Sequence, residues 1–153
     1  MFSQNILKEI KKIVDEFFEK TTFEVEIEFL GQKEKTLTIR LKSDEPQILI
    51  GEKGQTLFEI QHLLGAILKR KIKEPFYIDL DINNYKEKKI EYLKELARSV
   101  ADEVALTKKE KVLSPMPAYE RRIIHLELAE RKDVTTESVG QEPERKVVIR
   151  PYP

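Results

Sequence analysis

Two short passages hold the residue types that do chemistry. In Leu49-Ile50-Gly51-Glu52-Lys53-Gly54, two glycines flank two polar residues, with an apolar run before and a helical pattern after. Gly51 and Gly54 let the backbone turn sharply and let another backbone come close. A helix that starts after Gly54 aims its free N–H groups back into the turn, which makes a small anion cradle suited to a phosphate. Lys53 adds positive charge there and Glu52 opposes it. Taken alone, the same Gly-x-x-Gly is more often a plain tight turn between helices. The second passage is Arg121-Arg122-Ile123-Ile124-His125. Arg121 and His125 share one helix face and offer a guanidinium for phosphate or stacking and an imidazole for a hydrogen bond or stacking. The plainer alternative is a surface arginine beside a partly packed histidine. Arg122 and Arg145 are second candidates for the same work, and Lys108, Lys109 and Lys111 extend the basic stretch.

Other chemistries lack their residues. The chain has no cysteine and two histidines, so it has no disulfide and no thiolate metal site, and too few ligands for a His-based zinc site. There is no serine nucleophile elbow. The glycine spacing is not a P-loop, because the longer spacer and the following Lys are missing. No cofactor, no metal and no catalytic residue is expected, and the chain reads as a non-enzyme.

With 153 residues, 40% hydrophobic and 37% charged, the chain is long enough for one ordinary domain or two small ones and too apolar for a disordered tail. No apolar run approaches the ~20 residues of a membrane span, and the N-terminus lacks a signal-peptide pattern. A cytoplasmic protein without membrane contact is the expectation. Basic and acidic residues balance at 28 each, so any nucleic-acid surface must be a local patch.

The elements that position the two passages are readable in order. Residues 3–19 read as an amphipathic helix capped by Ser3, with Ile6, Ile10, Ile13, Val14, Phe17 and Phe18 at helical spacing. Residues 23–29 alternate apolar and Glu, a strand with Phe23, Val25, Ile27 and Phe29 inward; Gly31-Gln32-Lys33 is the expected turn, and residues 36–42 return as a second strand. The outer face of this hairpin pairs glutamates with Arg40 and Lys42, and its acid would repel a phosphate backbone. Ser43-Asp44-Glu45-Pro46 starts a short helix to Ile50. A longer helix follows Gly54 to about Lys71, with Leu57, Ile60, Leu64, Ile67 and Leu68 as its stripe. Residues 75–82 form a third strand. After Asn83-Asn84 comes a helix of about 23 residues, with Ile90, Leu93, Leu96, Ala97, Val100, Ala101 and Val104 inward and most of its lysines on a solvated face. Val112-Leu113 is a short strand or turn, Tyr119 to about Arg131 a helix, and residues 134–139 and 146–149 a hairpin. The fold class is α+β, in two small units.

Set in the order α-β-β-α-α-β, the passage Leu49-Ile50-Gly51-Glu52-Lys53-Gly54-Gln55-Thr56-Leu57 with Ile60-Gln61-His62-Leu63 resembles a KH (K homology) domain of the type II topology, here residues 1–83. Arg121-Arg122-Ile123-Ile124-His125, within Pro115-Met116-Pro117-Ala118-Tyr119-Glu120 and followed by residues 135–140 and 145–149, resembles the R-three-H domain, here residues 84–153. A KH domain followed by an R-three-H domain looks like the Jag family, the SpoIIIJ-associated RNA-binding proteins of bacteria also called KhpB.

That resemblance implies a non-enzymatic binder of single-stranded RNA, with single-stranded DNA as a further ligand, acting as a post-transcriptional regulator or RNA chaperone. In a KH domain the glycine loop grips the backbone of about four nucleotides. Carried over, Gly51, Glu52, Lys53 and Gly54 form the grip, while Ile50 and Leu57 border the groove that receives the bases; plain core is an equal reading for those two. Arg121, Arg122, His125 and Arg145 form the R-three-H surface. The alternative is an interaction adaptor that pairs through its KH domain with the small KH-only partner KhpA or with a second copy, using the apolar faces of the first helix and the hairpin. Typical members carry a further N-terminal Jag domain, which is not expected here, and are richer in Arg where this sequence has Tyr85-Lys86-Glu87-Lys88-Lys89. Lysines keep the charge but not the bidentate phosphate geometry.

Overall fold

The computed structural model describes residues 2–153. It divides into two compact units, the first ending at Lys86 and the second running Glu87–Pro153. Both mix helices with a three-stranded sheet, so the fold is α+β.

The first unit runs α1 (Gln4–Glu19), β1 (Val25–Lys33), β2 (Thr36–Ser43), α2 (Pro46–Ile50), α3 (Gln55–Lys71) and β3 (Tyr77–Ile82), the expected order. Ser3 caps α1, its Oγ accepting from the Ile6 N–H at 3.3 Å. The strands lie in the order β1-β2-β3, the first pair antiparallel and the second parallel. Register explains why strict alternation makes a core. Ile27, Leu41 and Ile82 form one row across the sheet, and Phe29, Ile39 and Leu80 the next. Ile10, Val14, Leu57, Leu64 and Leu68 pack with them. Each such side chain, fully buried, contributes ~1.5–3 kcal/mol. The opposite face carries Glu26 beside Lys42, and Glu28 beside Arg40 and then Asp81.

Two expectations change here. The hairpin does not turn at Gly31. The strand continues through Gly31, at φ +105°, in a bulge where the register slips after Phe29, and the chain turns at Glu34-Lys35. Glycine relieved a bulge rather than a turn. The apolar face of α1, considered for partner pairing, is instead spent on this unit's own core: Ile10, Ile13, Val14 and Phe18 are all buried.

The second unit runs α4 (Tyr85–Thr107, whose first two residues belong to the first unit), β4 (Lys111–Val112), α5 (Ala118–Leu128), β5 (Val134–Val139) and β6 (Lys146–Pro151). Its sheet order is β4-β6-β5, antiparallel throughout. Leu93, Ala97, Ala101 and Val104 of α4 meet Ile124 and Leu128 of α5 over Val147 and Ile149. Ile90, expected inward, is 38% exposed. Helix α5 ends at Leu128, one turn earlier than expected.

At the end of β3 the chain passes through Asn83 and Asn84, both left-handed at φ +49° and +59°. The Asn83 side chain accepts from the Ser43 N–H at 3.0 Å and donates to the Ser43 carbonyl at 2.9 Å.

Candidate nucleic-acid interface

The glycine loop joins α2 to α3 by a single 3-10 turn, Glu52–Gly54. Gly51 closes α2, its N–H donating to the Gln47 carbonyl at 3.0 Å. Three of the four loop residues take positive φ: Gly51 at +73°, Lys53 at +55° and Gly54 at +81°. A side chain is excluded at Gly51 and crowded at Gly54. A Cβ on Gly51 would stand 2.1 Å from Thr56 Oγ1 and 2.9 Å from the Thr56 backbone N. One on Gly54 would stand 3.0 Å from the Tyr85 ring. Gly54 is the N-cap of α3 and supplies no side-chain acceptor, so the first N–H groups of α3 have no capping side chain. Glu52 and Lys53 are exposed and Gly54 is buried.

Of the two residues flanking the loop, Leu57 is fully buried and belongs to the core, while Ile50 is half-buried against it. The groove beside the loop is lined by residues to which the sequence assigned no binding role. It runs between α3 and β3, holds about 780 Å³, and is lined by Phe58, Gln61, His62, Lys69, Tyr77 and Ile78 among others. Tyr77 is 66% exposed, with Lys69 Nζ 6.0 Å from its ring centroid. An exposed ring beside a cation is a stacking platform for a base. The signal in the sequence was Tyr77 itself, an aromatic at the outward position of an alternating strand.

Lys86, read as part of a solvated helix face, is tied down. Its Nζ donates to Asp79 Oδ1 at 2.6 Å and to Gln61 Oε1 at 3.0 Å.

In the second unit, Arg121 and His125 do share a face of α5, and that face is turned inward. Arg121 is 7% exposed. Its Nη1 donates to the Met116 carbonyl at 2.6 Å and its Nη2 pairs with Glu142 at 2.8 Å. The guanidinium thus pins the Pro115-Met116-Pro117 approach to α5 and the loop between β5 and β6, rather than standing open to a phosphate. The half-buried His125 has both ring nitrogens engaged, Nδ1 with Thr136 Oγ1 at 2.6 Å and Nε2 with Ser138 Oγ at 2.8 Å. Arg145 donates from Nη1 to the Gly140 carbonyl at 2.6 Å. Arg122 is exposed and, among the described residues, has no hydrogen bond or ion pair. Lys111 pairs with Glu103 at 2.9 Å. Arg150 joins two carboxylates, Glu110 at 3.0 Å and Glu137, in a strap across the outer face of the sheet.

Burial first, and the Arg121 charge second, push the His125 imidazole below its usual 6.5. The unfolded chain therefore takes up this proton before the folded one does. The stabilisation is complete above about pH 6.5 and is lost as the pH falls below that value. The urea midpoint of the second unit, followed by circular dichroism, is expected to drop between pH 7.5 and pH 5.5, and to drop less in His125→Gln. An equal drop in both would remove His125 as the cause.

The model of the R-three-H domain matches residues 91–151 of this chain. The chain is 40% identical over 126 residues to the "RNA-binding protein KhpB" of Clostridium symbiosum, an alignment covering 82% of this chain and 56% of that protein. Against the protein of the same name from Lactiplantibacillus plantarum it is 38% identical over 112 residues, 73% of this chain and 35% of the relative. Against that from Bacillus subtilis it is 35% identical over 120 residues, 77% and 58% respectively. The chain therefore spans between a third and three fifths of the length of these curated relatives. Among the described residues, no helix is long and apolar enough to cross a membrane. The chain thus carries an R-three-H domain in its C-terminal unit and over most of its length is similar to the KhpB proteins of the Jag family.

Proposed function

We propose that the chain binds single-stranded RNA without turning it over, and that the first unit does so as a KH-type clamp. The observation that carries this reading is the loop 51–54: two glycines at positive φ, the first with no room for a side chain, set before a start of α3 that has no capping side chain. Backbone N–H groups and Lys53 would hold phosphate, while the adjacent groove with Tyr77 receives bases. The RNA-binding name of the relatives supports it. In the second unit the exposed Arg122, rather than the inward-turned Arg121 and His125, is a cation with reach to a strand. A post-transcriptional regulator or RNA chaperone in the cytoplasm is the role that fits such a clamp.

The test is fluorescence anisotropy with single-stranded RNA over a salt series. Lys53→Asp is expected to weaken binding roughly tenfold and to flatten the logarithmic salt slope by about 0.7 or more. Glu52→Lys is expected to strengthen binding, roughly threefold, by removing the charge that opposes a phosphate. No affinity at low salt in the unmodified chain would refute the reading.

Pairing with a KH-only partner such as KhpA, or with a second copy, is the alternative. With the α1 face spent on the core, it would have to use the free edge of β1, where Leu30 is 45% exposed.

A further inference from the structure

Gln61, on α3, lines the groove beside β3, and its amide is held in one orientation. Its Oε1 accepts two hydrogen bonds, from the backbone N–H of Leu80 at 2.9 Å and from Lys86 Nζ at 3.0 Å. Both donors are themselves fixed. Leu80 lies in an edge strand of its sheet and is fully buried. The Lys86 ammonium is gripped by Asp79, stands 5.8 Å from the Phe58 ring centroid, and hangs from a backbone N–H that donates to Asp81 at 3.2 Å. Two donors on one atom settle which end of the amide is which, because the flipped amide would set its N–H groups against both. Nε2 then carries two N–H groups for which the described residues supply no acceptor. Gln61 is a donor-only amide at the groove.

We infer that Gln61 reads the base lying in this groove and selects for a carbonyl at its edge, an inference that rests on the proposed RNA binding. The loop contacts act on phosphates, which are the same for every nucleotide. A base edge is different. Uracil and guanine carry a carbonyl where cytosine and adenine carry an amino group, and an amino group would face the amide N–H groups donor to donor. An ordinary glutamine adapts by flipping; this one cannot without breaking the Leu80 and Lys86 bonds. Uracil, with two carbonyls and no amino group, and adenine, with an amino group and no carbonyl, give the widest contrast.

The experiment is anisotropy of the full chain with labelled oligo(U) and oligo(A) of equal length at one ionic strength. Oligo(U) is expected to bind about tenfold more tightly, the discrimination of one good base contact. Gln61→Met should collapse the ratio. Gln61→Glu keeps an acceptor for Leu80 and Lys86 but turns the groove-facing donor into an acceptor, and should move the ratio towards adenine. Its added charge weakens both oligonucleotides and cancels in the ratio. A ratio unchanged in both variants overturns the role of Gln61 and leaves the RNA-binding reading standing. Binding of neither oligonucleotide by the unmodified chain overturns that reading, and this one with it.

Discussion

Gly51→Ala is expected to reduce RNA affinity by at least ~30-fold. The magnitude follows from two costs that meet at one atom. At φ +73° and ψ −177° an L-residue is strained, by about 1–3 kcal/mol. The new Cβ also falls 2.1 Å from the Thr56 hydroxyl and 2.9 Å from the Thr56 backbone N. A hydroxyl can rotate away, but the backbone N cannot, so the first turn of α3 must move. That turn supplies the N–H groups of the proposed cradle, and a shift of 1 Å in a positioned site is costly. The helix and strand content, read by circular dichroism, should survive, because Gly51 itself is outside the core. An affinity within threefold of the unmodified chain would show that the loop does not hold the RNA.

Arg121→Met is expected to cost the second unit ~2–4 kcal/mol of stability, read as a lowered urea midpoint, and to cost RNA affinity little under folded conditions. The residue is almost fully buried, and its removal leaves the Met116 carbonyl without its donor and Glu142 without its partner. Arg122→Ala should do the reverse, leaving stability within ~0.5 kcal/mol while weakening RNA binding several-fold. The two neighbours thus separate scaffold from surface. Equal loss of affinity in both, with no change in stability, would return Arg121 to the interface.

The sequence was most legible where alternation and register act together. Val25 to Phe29 and Thr36 to Lys42 read correctly as strands with their inward faces, because a half-buried strand admits one apolar phase only, although the alternation at Phe23-Glu24 lies before the strand begins. Periodicity likewise placed α1, α3 and α4. It was least legible where one residue type serves two geometries. Gly31 suits a bulge as well as a turn, and the left-handed Glu34 beyond it has no sequence signature. Spacing put Arg121 and His125 on one face of α5 but could not say which way that face points. A basic side chain reads as outward until a carbonyl, here that of Met116, is found waiting for it inside. Gln61 lay inside the KH-like passage but carried no sign of its own role, since a glutamine on a helix is usually solvated; its meaning comes from Leu80 and Lys86, distant in the chain. Lys86 was misread for the same reason.

Asn83 has a practical consequence for dissecting the molecule. Its side-chain amide meets the N–H and the carbonyl of Ser43 as a peptide group on a neighbouring strand would. The ladder between β2 and β3 thus gains a last rung after the backbone has already turned away into its left-handed exit. A fragment of the first unit cut at Ile82 would lose that surrogate peptide and leave the end of β2 frayed, whereas one that retains Asn83 keeps the sheet closed.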